Sequence, residues 1–274
     1  MKHPIGFNTK IDTVPEPANA TAPTLQPQVK PSVVRIYFPD RCAEYSYYND
    51  LYDLKVGDLV YVSGKLEGLR GRITEVTHSF KIKLSDYQRV EYLVDTDVTG
   101  DFYLAGSHFV TFDKQALPFH KAITWFMPPE DSDDFVFGDD DDETDSFPLN
   151  DLGKMKVPSH IADRAFRYYE ENRVAYLSIS DGLGHAIVVG SRPYDLFFCF
   201  ENGEIKGLTC PCYAGQGCKH QLAAMLQLKE TLEILTEHYG YKEGNYFAAI
   251  SKQAWLSTLF GQKTSGKIRL EGRK

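Results

Sequence analysis

The sequence lacks long apolar runs, which limits where the chain can reside. No stretch approaches the roughly 18 consecutive apolar residues that read as a membrane-spanning helix. The first ten residues are not followed by the apolar core of a signal peptide. We therefore expect neither a membrane partner nor secretion, and we expect a cytoplasmic protein, or a nuclear one if the source is eukaryotic.

Recognisable catalytic motifs are absent as well. The sequence shows no phosphate-binding loop, no nucleophile–base–acid triad and no paired carboxylates in a readable motif. A catalytic cysteine would need a base and a third group to orient that base, and no such set can be read from the sequence. We therefore expect a binding protein rather than an enzyme, with no small-molecule substrate.

Cysteine is scarce and unevenly placed. The 274 residues include five cysteines, an odd number, and three of them lie within eleven residues together with one histidine. Such clustering favours metal binding in a reducing compartment over a framework of disulfides.

Negative charge is concentrated in one segment. The net charge of the chain is −8, but ten acidic residues and no basic residue lie between Glu130 and Asp145, so the remainder carries +2. A block of like charges repels itself and stays extended, which is typical of a linker. The alternative is a nucleic-acid mimic, or an arm that folds back over a basic site.

Composition divides the chain into five consecutive parts. Residues 1–31 hold six of the fourteen prolines and few large apolar groups, which predicts a disordered tail. We expect a small all-β barrel over residues 32–127, an acidic linker over 128–156, a second domain over 157–262 and a basic tail over 263–274. The barrel prediction rests on short β-branched and aromatic runs separated by turn residues. These runs are 33–38, 44–48, 59–62, 71–77, 80–84, 90–94 and 108–112.

A glycine-rich loop lies within the predicted barrel. Residues 57–76 resemble a KOW motif, in which a G-D-x-V-x-V strand turns through a G-x-x-x-G-x-x-G loop into a second strand. Gly64, Gly68 and Gly71 stand at the loop positions, where close backbone passage and positive φ are needed. The resemblance implies a small β-barrel.

The stretch of residues 210–220 has the spacing C-x-C-x₅-C-x-H. Thiolates and imidazoles are ligands that suit zinc, and four of them close a tetrahedral shell. Cys210, Cys212, Cys218 and His220 would fill that shell and leave no open position, which predicts one structural Zn²⁺ ion. The alternative is a set of buried or oxidised thiols.

The residues around this stretch predict a hairpin and a helix. Asn202 and Gly203 form a strong two-residue hairpin signal, and the second strand of that hairpin leads into Cys210. Cys218 and His220 are two positions apart, about 200° around a helix, so both cannot point inward from a regular helix. We therefore place Cys218 just before a helix and His220 in its first turn. Further helices are predicted over 158–171 and 245–260.

A hairpin, a Cys-x-Cys knuckle and a helix that begins with Cys-Lys-His resemble the SWIM zinc finger. The resemblance covers about residues 161–235, and it implies a structural zinc ion and a role in binding DNA or protein partners. The predicted fold class is α+β, with a small all-β barrel followed by a zinc-stabilised ββα finger domain with flanking helices.

Several basic residues are candidates for contact with nucleic acid. Some surround the glycine-rich loop, one adjoins the zinc-ligating histidine and some lie in the basic tail. These candidates are Lys65, Arg70, Arg72, Lys219, Lys267 and Arg269. The alternatives are a solvated hairpin and a tail without a specific role. We expect a regulatory module that binds or associates with DNA or RNA; the alternative is a protein-interaction adaptor with a structural zinc.

Overall fold

The computed structural model describes residues 29–81, 83, 86–129, 146–215, 217–259 and 268–270, the last three by their backbone alone. In this part of the chain the fold is mixed α/β, with two largely antiparallel sheets and four α-helices. The strands are β1 (Ser32–Phe38), β2 (Ala43–Asn49), β3 (Leu59–Val62), β4 (Gly71–Thr77), β5 (Val90–Leu93), β6 (Gly100–Ala105), β7 (His108–Thr111), β8 (Phe147–Pro148), β9 (Val174–Ser180), β10 (Leu183–Val189), β11 (Pro193–Glu201), β12 (Glu204–Thr209), β13 (Phe247–Ser251) and β14 (Ile268–Leu270). The helices are α1 (Phe119–Ala122), α2 (Ser159–Glu170), α3 (Lys219–Tyr239) and α4 (Lys252–Leu259). Among these helices, none is both long and apolar enough to cross a bilayer.

The first sheet has the strand order β2-β1-β4-β3-β5. Alternation along β1 buries Ile36 and Phe38 on one face and leaves Arg35 exposed on the other. Gly71 of β4 lies under this apolar face, because a Cβ atom there would come within 2.2 Å of Ile36 and 2.9 Å of Phe38. The close approach of the two strands therefore explains the glycine.

The first sheet is open, so the predicted closed barrel is wrong. No hydrogen-bonded ladder joins its edge strands β2 and β5 in the described residues; an isolated bridge links Tyr48 of β2 to Arg89, the residue before β5. The strand predicted over residues 80–84 is not formed at the described positions 80, 81 and 83, and the other two lie outside the described residues. Without this strand and with a β5 of only four residues, the sheet does not close.

The second sheet has nine strands in the order β14-β6-β7-β13-β9-β10-β11-β12-β8. It combines segments that are far apart in the chain, because β13 pairs with β7 on one side and with β9 on the other. The run 108–112 is predicted to belong to the barrel, but it forms β7 of this second sheet. The same sheet contains the hairpin that leads into the Cys/His stretch. The adjoining strand β6 was not predicted.

The helix predicted over residues 245–260 is wrong in its first half, where the structure has strand β13 before α4. All five residues of β13 are buried, since this central strand is covered on both faces. The sequence of such a strand is a continuous apolar run. Its hydrophobic pattern has no periodicity that distinguishes it from a buried helix. The second half, α4, is helical as predicted.

Apolar layers cover both faces of the nine-stranded sheet. On one face, α3 and α2 pack against the sheet through a cluster that includes Met225 and Leu228. On the other face, Trp125 and Trp255 pack with residues of both sheets, including Tyr61 of β3. The Tyr61 hydroxyl also donates a 3.0 Å hydrogen bond to the carbonyl of Thr124. The two sheets therefore share a core.

Part of the predicted linker is structured. β8 pairs with β12, and Phe147 and Leu149 are buried in the core. The acidic run from Glu130 to Asp145 lies outside the described residues, as does most of the predicted tail over 1–31. Of the predicted basic tail, only residues 268–270 are described, and their backbone pairs in parallel with β6.

Candidate metal centre

The hairpin β11–β12 leads into the first two cysteines, as predicted. Its turn residues Asn202 and Gly203 have φ values of 52° and 77°, the positive angles that a type I′ turn requires. β12 ends at Thr209, so Cys210 and Cys212 stand in the turn that follows the strand.

The start of α3 holds the other two residues of the cluster. Cys218 is the N-cap of α3 and His220 lies in its first turn, which confirms the placement predicted from their spacing. The Cys218 sulfur accepts a hydrogen bond from the Gln221 backbone N–H at 3.4 Å, and the Gln221 side chain accepts one from the Cys218 N–H at 3.0 Å. This reciprocal pair is a capping box with cysteine in place of serine or threonine.

Gln221 also connects the helix to the hairpin. Its side-chain amide donates a 2.9 Å hydrogen bond to the carbonyl of Leu208 in β12. One side chain therefore fixes the start of the helix relative to the strand that precedes Cys210. Gln221 is not among the residues predicted from the sequence, although its position three residues after Cys218 is the capping-box signal.

The four predicted ligand residues lie together. One ligand atom from each of Cys210, Cys212, Cys218 and His220 lies within 4.8 Å of the others. His220 Nδ1 is 3.7 Å from the Cys210 sulfur and 4.0 Å from the Cys218 sulfur. Bond lengths of about 2.3 Å to sulfur and 2.0 Å to nitrogen place such atoms about 3.6 Å apart around tetrahedral zinc. The group can therefore hold one metal ion and is consistent with a zinc site.

Interaction between two of the sulfurs moves the pKa values of their thiols in opposite directions. Hydrogen bonding from Cys210, aided by His220 and the Gln221 backbone N–H, holds the pKa of the Cys218 thiol well below its usual value. The same hydrogen bond raises the pKa of Cys210. A thiolate is the form that binds a metal, so binding of a cation by these cysteines would be accompanied by release of their thiol protons.

Two tyrosines contact the imidazole of His220. Tyr194 of β11 stacks on it with ring centroids 4.1 Å apart, and Tyr168 of α2 lies at 5.5 Å. The Nε2 atom of His220 is buried and has no hydrogen-bond partner among the described residues. The imidazole is therefore held by stacking on Tyr194 and by the contacts of its Nδ1 atom with the Cys210 and Cys218 sulfurs. No spacing in the sequence indicates either tyrosine, because each comes from a different element.

Gly190, at the turn between β10 and β11, leaves room for this stack. A Cβ atom at residue 190 would lie 3.0 Å from the Tyr194 ring, 3.1 Å from His220 Nε2 and 3.3 Å from the Tyr168 hydroxyl oxygen. These distances are shorter than ordinary contacts between carbon atoms. The imidazole has to shift if residue 190 carries a side chain.

We expect Gly190→Ala to weaken metal binding by about tenfold, because overpacking costs typically 1–3 kcal/mol and the displaced group is a ligand. Competition of the purified protein with a chromophoric zinc chelator measures this affinity. The control is Gly153→Ala, at an exposed glycine whose added Cβ would lie near only the side chain of Asp151. Equal affinities of the two variants would contradict the role given to Gly190.

The residues predicted to contact nucleic acid occupy different places. Arg70 donates to the Trp125 carbonyl and, at 3.1 Å, to the Thr258 hydroxyl. Arg72 donates to the carbonyls of Ser257 and Thr258 at 2.9 and 3.2 Å. Both guanidinium groups thus bind the C-terminal end of α4, where free carbonyls and the helix dipole favour a cation.

The other four predicted contacts lie in three different regions of the chain. Lys65 is exposed in the turn after β3, whereas Lys219 adjoins the metal centre with its ammonium nitrogen 4.9 Å from the Tyr168 ring centroid. Lys267 lies outside the described residues, and Arg269 is described only by its backbone in β14. Among the four candidates whose side chains are described, Lys219 alone contacts a residue that touches His220.

Comparison with protein-family models, with curated protein sequences and with solved structures found no match to this chain. The resemblance to the SWIM finger therefore rests on the four cysteine and histidine residues, the hairpin before them and the helix after them. The described residues bring these four side chains together in a group that can hold one metal ion.

Proposed function

We propose that the chain is a SWIM-like module that holds one structural Zn²⁺ ion, binds nucleic acid and has no catalytic activity of its own. Three thiolates and an imidazole suit zinc, and four protein ligands leave no coordination position for a substrate. In this role the metal stabilises a surface. The partner is then selected by the side chains next to the ligands.

The observation that carries the nucleic-acid proposal is the positive charge beside the metal centre. Lys219 lies over the ring of Tyr168, and the guanidinium of Arg192 lies 5.3 Å from the ring centroid of Tyr194. Within the described residues neither cation forms a salt bridge. Cations without carboxylate partners attract phosphate, and the two tyrosines fix them next to His220.

Binding that depends on phosphate contacts has to weaken with salt, because each contact releases counterions. We expect the zinc-loaded chain to bind labelled single-stranded and duplex DNA and RNA at about 50 mM KCl. The logarithm of the binding constant should then fall linearly with the logarithm of the salt concentration. Fluorescence anisotropy measures both. An absence of binding at low salt, or affinity that does not depend on salt, would contradict the proposal.

A protein-interaction adaptor is the second candidate. It is favoured by apolar side chains at the surface of the β-rich first part, where Tyr45, Leu51 and Val56 are 48 %, 53 % and 65 % exposed. Such side chains can dock on another protein. Capture of a stoichiometric partner that survives nuclease treatment, and is lost when Leu51 and Val56 are replaced by serine, would support this candidate.

A further inference from the structure

One side of α2 carries two arginines beside Tyr168, the residue of this helix that contacts His220. Arg164, Arg167, Tyr168 and Glu171 follow the spacing i, i+3, i+4, i+7, which places them on one side of a helix. They line a surface depression of about 130 Å³. Both arginines are exposed, while Tyr168 is half-buried. The two exposed cations therefore lie beside the ring that contacts His220.

Cations from three further parts of the chain lie over the same rings. Lys219 of α3 and Arg173, between α2 and β9, lie 4.9 and 6.0 Å from the ring centroid of Tyr168. Arg192, at the turn between β10 and β11, lies over Tyr194. The faces of the aromatic rings attract these cations and limit the freedom of their long side chains. Five cations from four parts of the chain thus lie near the two tyrosines at the metal centre.

Negative charge near these cations lies on α2 and just after it, at Asp163, Glu170 and Glu171, and Glu171 lines the same depression. Arg173 pairs with Glu171 at 3.0 Å. Arg164, Arg167, Arg192 and Lys219 form no salt bridge with any described residue. The acidic residues of α3 lie in its second half, away from the helix start that holds the metal ligands. We call the surface formed by Arg164, Arg167, Arg192 and Lys219 the arginine face.

We infer that the arginine face binds the phosphate backbone of a nucleic acid, an inference that rests on the function proposed above. Three of its four cations are arginines, whose planar forks match phosphate oxygens and stay charged at any physiological pH. The Cβ atoms of Arg164 and Arg167 are neighbours about 5–6 Å apart on the helix surface, so the two can contact one strand together. This surface differs from the one predicted from the sequence, with which it shares only Lys219.

The test uses the full chain loaded with zinc and a fluorescein-labelled 20-nucleotide DNA, single-stranded and as a duplex. The face variant carries Arg164→Gln, Arg167→Gln and Arg192→Gln. The control variant removes the same charge at exposed lysines on other elements, Lys55→Gln, Lys81→Gln and Lys242→Gln. None of these six residues is a metal ligand, so zinc content and melting temperature should match those of the original chain.

We expect the face variant to bind at least tenfold more weakly at 100 mM KCl, with a salt slope smaller in magnitude by about two to three, since each phosphate contact contributes roughly one to the slope. The control variant should change affinity by less than about threefold. If the original chain binds and the face variant keeps its affinity and salt slope, the inference that the arginine face binds phosphate is wrong. The proposed nucleic-acid binding would then stand and involve other residues. If the original chain does not bind at low salt, both fail.

Discussion

Removal of the metal from the Cys3His group is expected to lower the melting temperature of the chain by at least about 10 °C. The free energy of binding a structural zinc ion is free energy of folding, because the unfolded chain holds no such site. Even a loss of about 4 kcal/mol corresponds to roughly 10 °C in a chain of this size, at 2–4 °C per kcal/mol. Differential scanning fluorimetry with and without a chelator measures the change, and elemental analysis should give one zinc per chain beforehand.

The effect should be strongest where the ligands join two elements. Cys218 caps α3, and Gln221 connects the same helix start to β12, so both contacts depend on the position of the knuckle. Hydrogen exchange should accelerate in the first turns of α3 and in β12 before it accelerates in β1 and β4. Uniform acceleration along the chain would show that the metal supports the whole fold rather than this region.

The matched variants are Cys218→Ser and Cys199→Ser. Cys199 lies half-buried on β11 and outside the ligand group, so its replacement should leave zinc content unchanged. Cys218→Ser should reproduce the effect of the chelator and should respond to further chelation only weakly. A chain whose melting temperature is the same with and without metal would contradict the structural role of the ion.

Gly184→Ala is expected to destabilise the nine-stranded sheet by about 3 kcal/mol or more. Gly184 of β10 stands opposite Phe198 of β11, whose ring lies over the glycine, and an added Cβ would fall 2.1 Å from the ring. Phe198 is 3 % exposed and belongs to the core under α3, so the ring has little space into which to move. The destabilisation caused by overpacking is at the upper end of its usual range when the neighbour is a rigid aromatic ring in a closed core.

A double-mutant cycle separates this contact from a general loss of strand stability. Phe198→Leu alone should cost about 1 kcal/mol, since most of the apolar volume stays. The double variant Gly184→Ala with Phe198→Leu should be more stable than Gly184→Ala alone, because the smaller side chain relieves the contact. Urea unfolding of the four proteins gives the coupling. If the two costs simply add, the ring is not what excludes a Cβ at residue 184.

The local parts of the metal centre could be predicted from the sequence. The turn at Asn202 and Gly203 and the placement of Cys218 and His220 follow from rules that act over a few residues. Turn residues select positive φ, and two ligands two positions apart cannot share one side of a regular helix. The structure agrees with both predictions because no distant contact opposes them.

The distant parts could not be predicted in this way. Nothing near β7 indicates that its partner is β13, and the burial of β13 on both faces removes the alternation that would identify it as a strand. The environment of His220 is similar, since Tyr168, Tyr194 and Gly190 meet only through the packing of α2 on the sheet. The sequence predicts Arg70 as a cation of the glycine-rich loop that could contact nucleic acid. Its contacts with Trp125 and Thr258 instead depend on packing between distant segments.

The position of β13 between β7 and β9 has a consequence for how the chain folds. Because His108 pairs with Ser251, the centre of the larger sheet cannot form until the segment after α3 has been synthesised. Contacts between residues so distant in sequence slow folding, and during that time β7 and β9 each present an unpaired edge. A cation captured early by the hairpin and the start of α3 would organise one end of the sheet while its centre is still incomplete. A bound ion would then influence the order of assembly as well as the stability of the final fold.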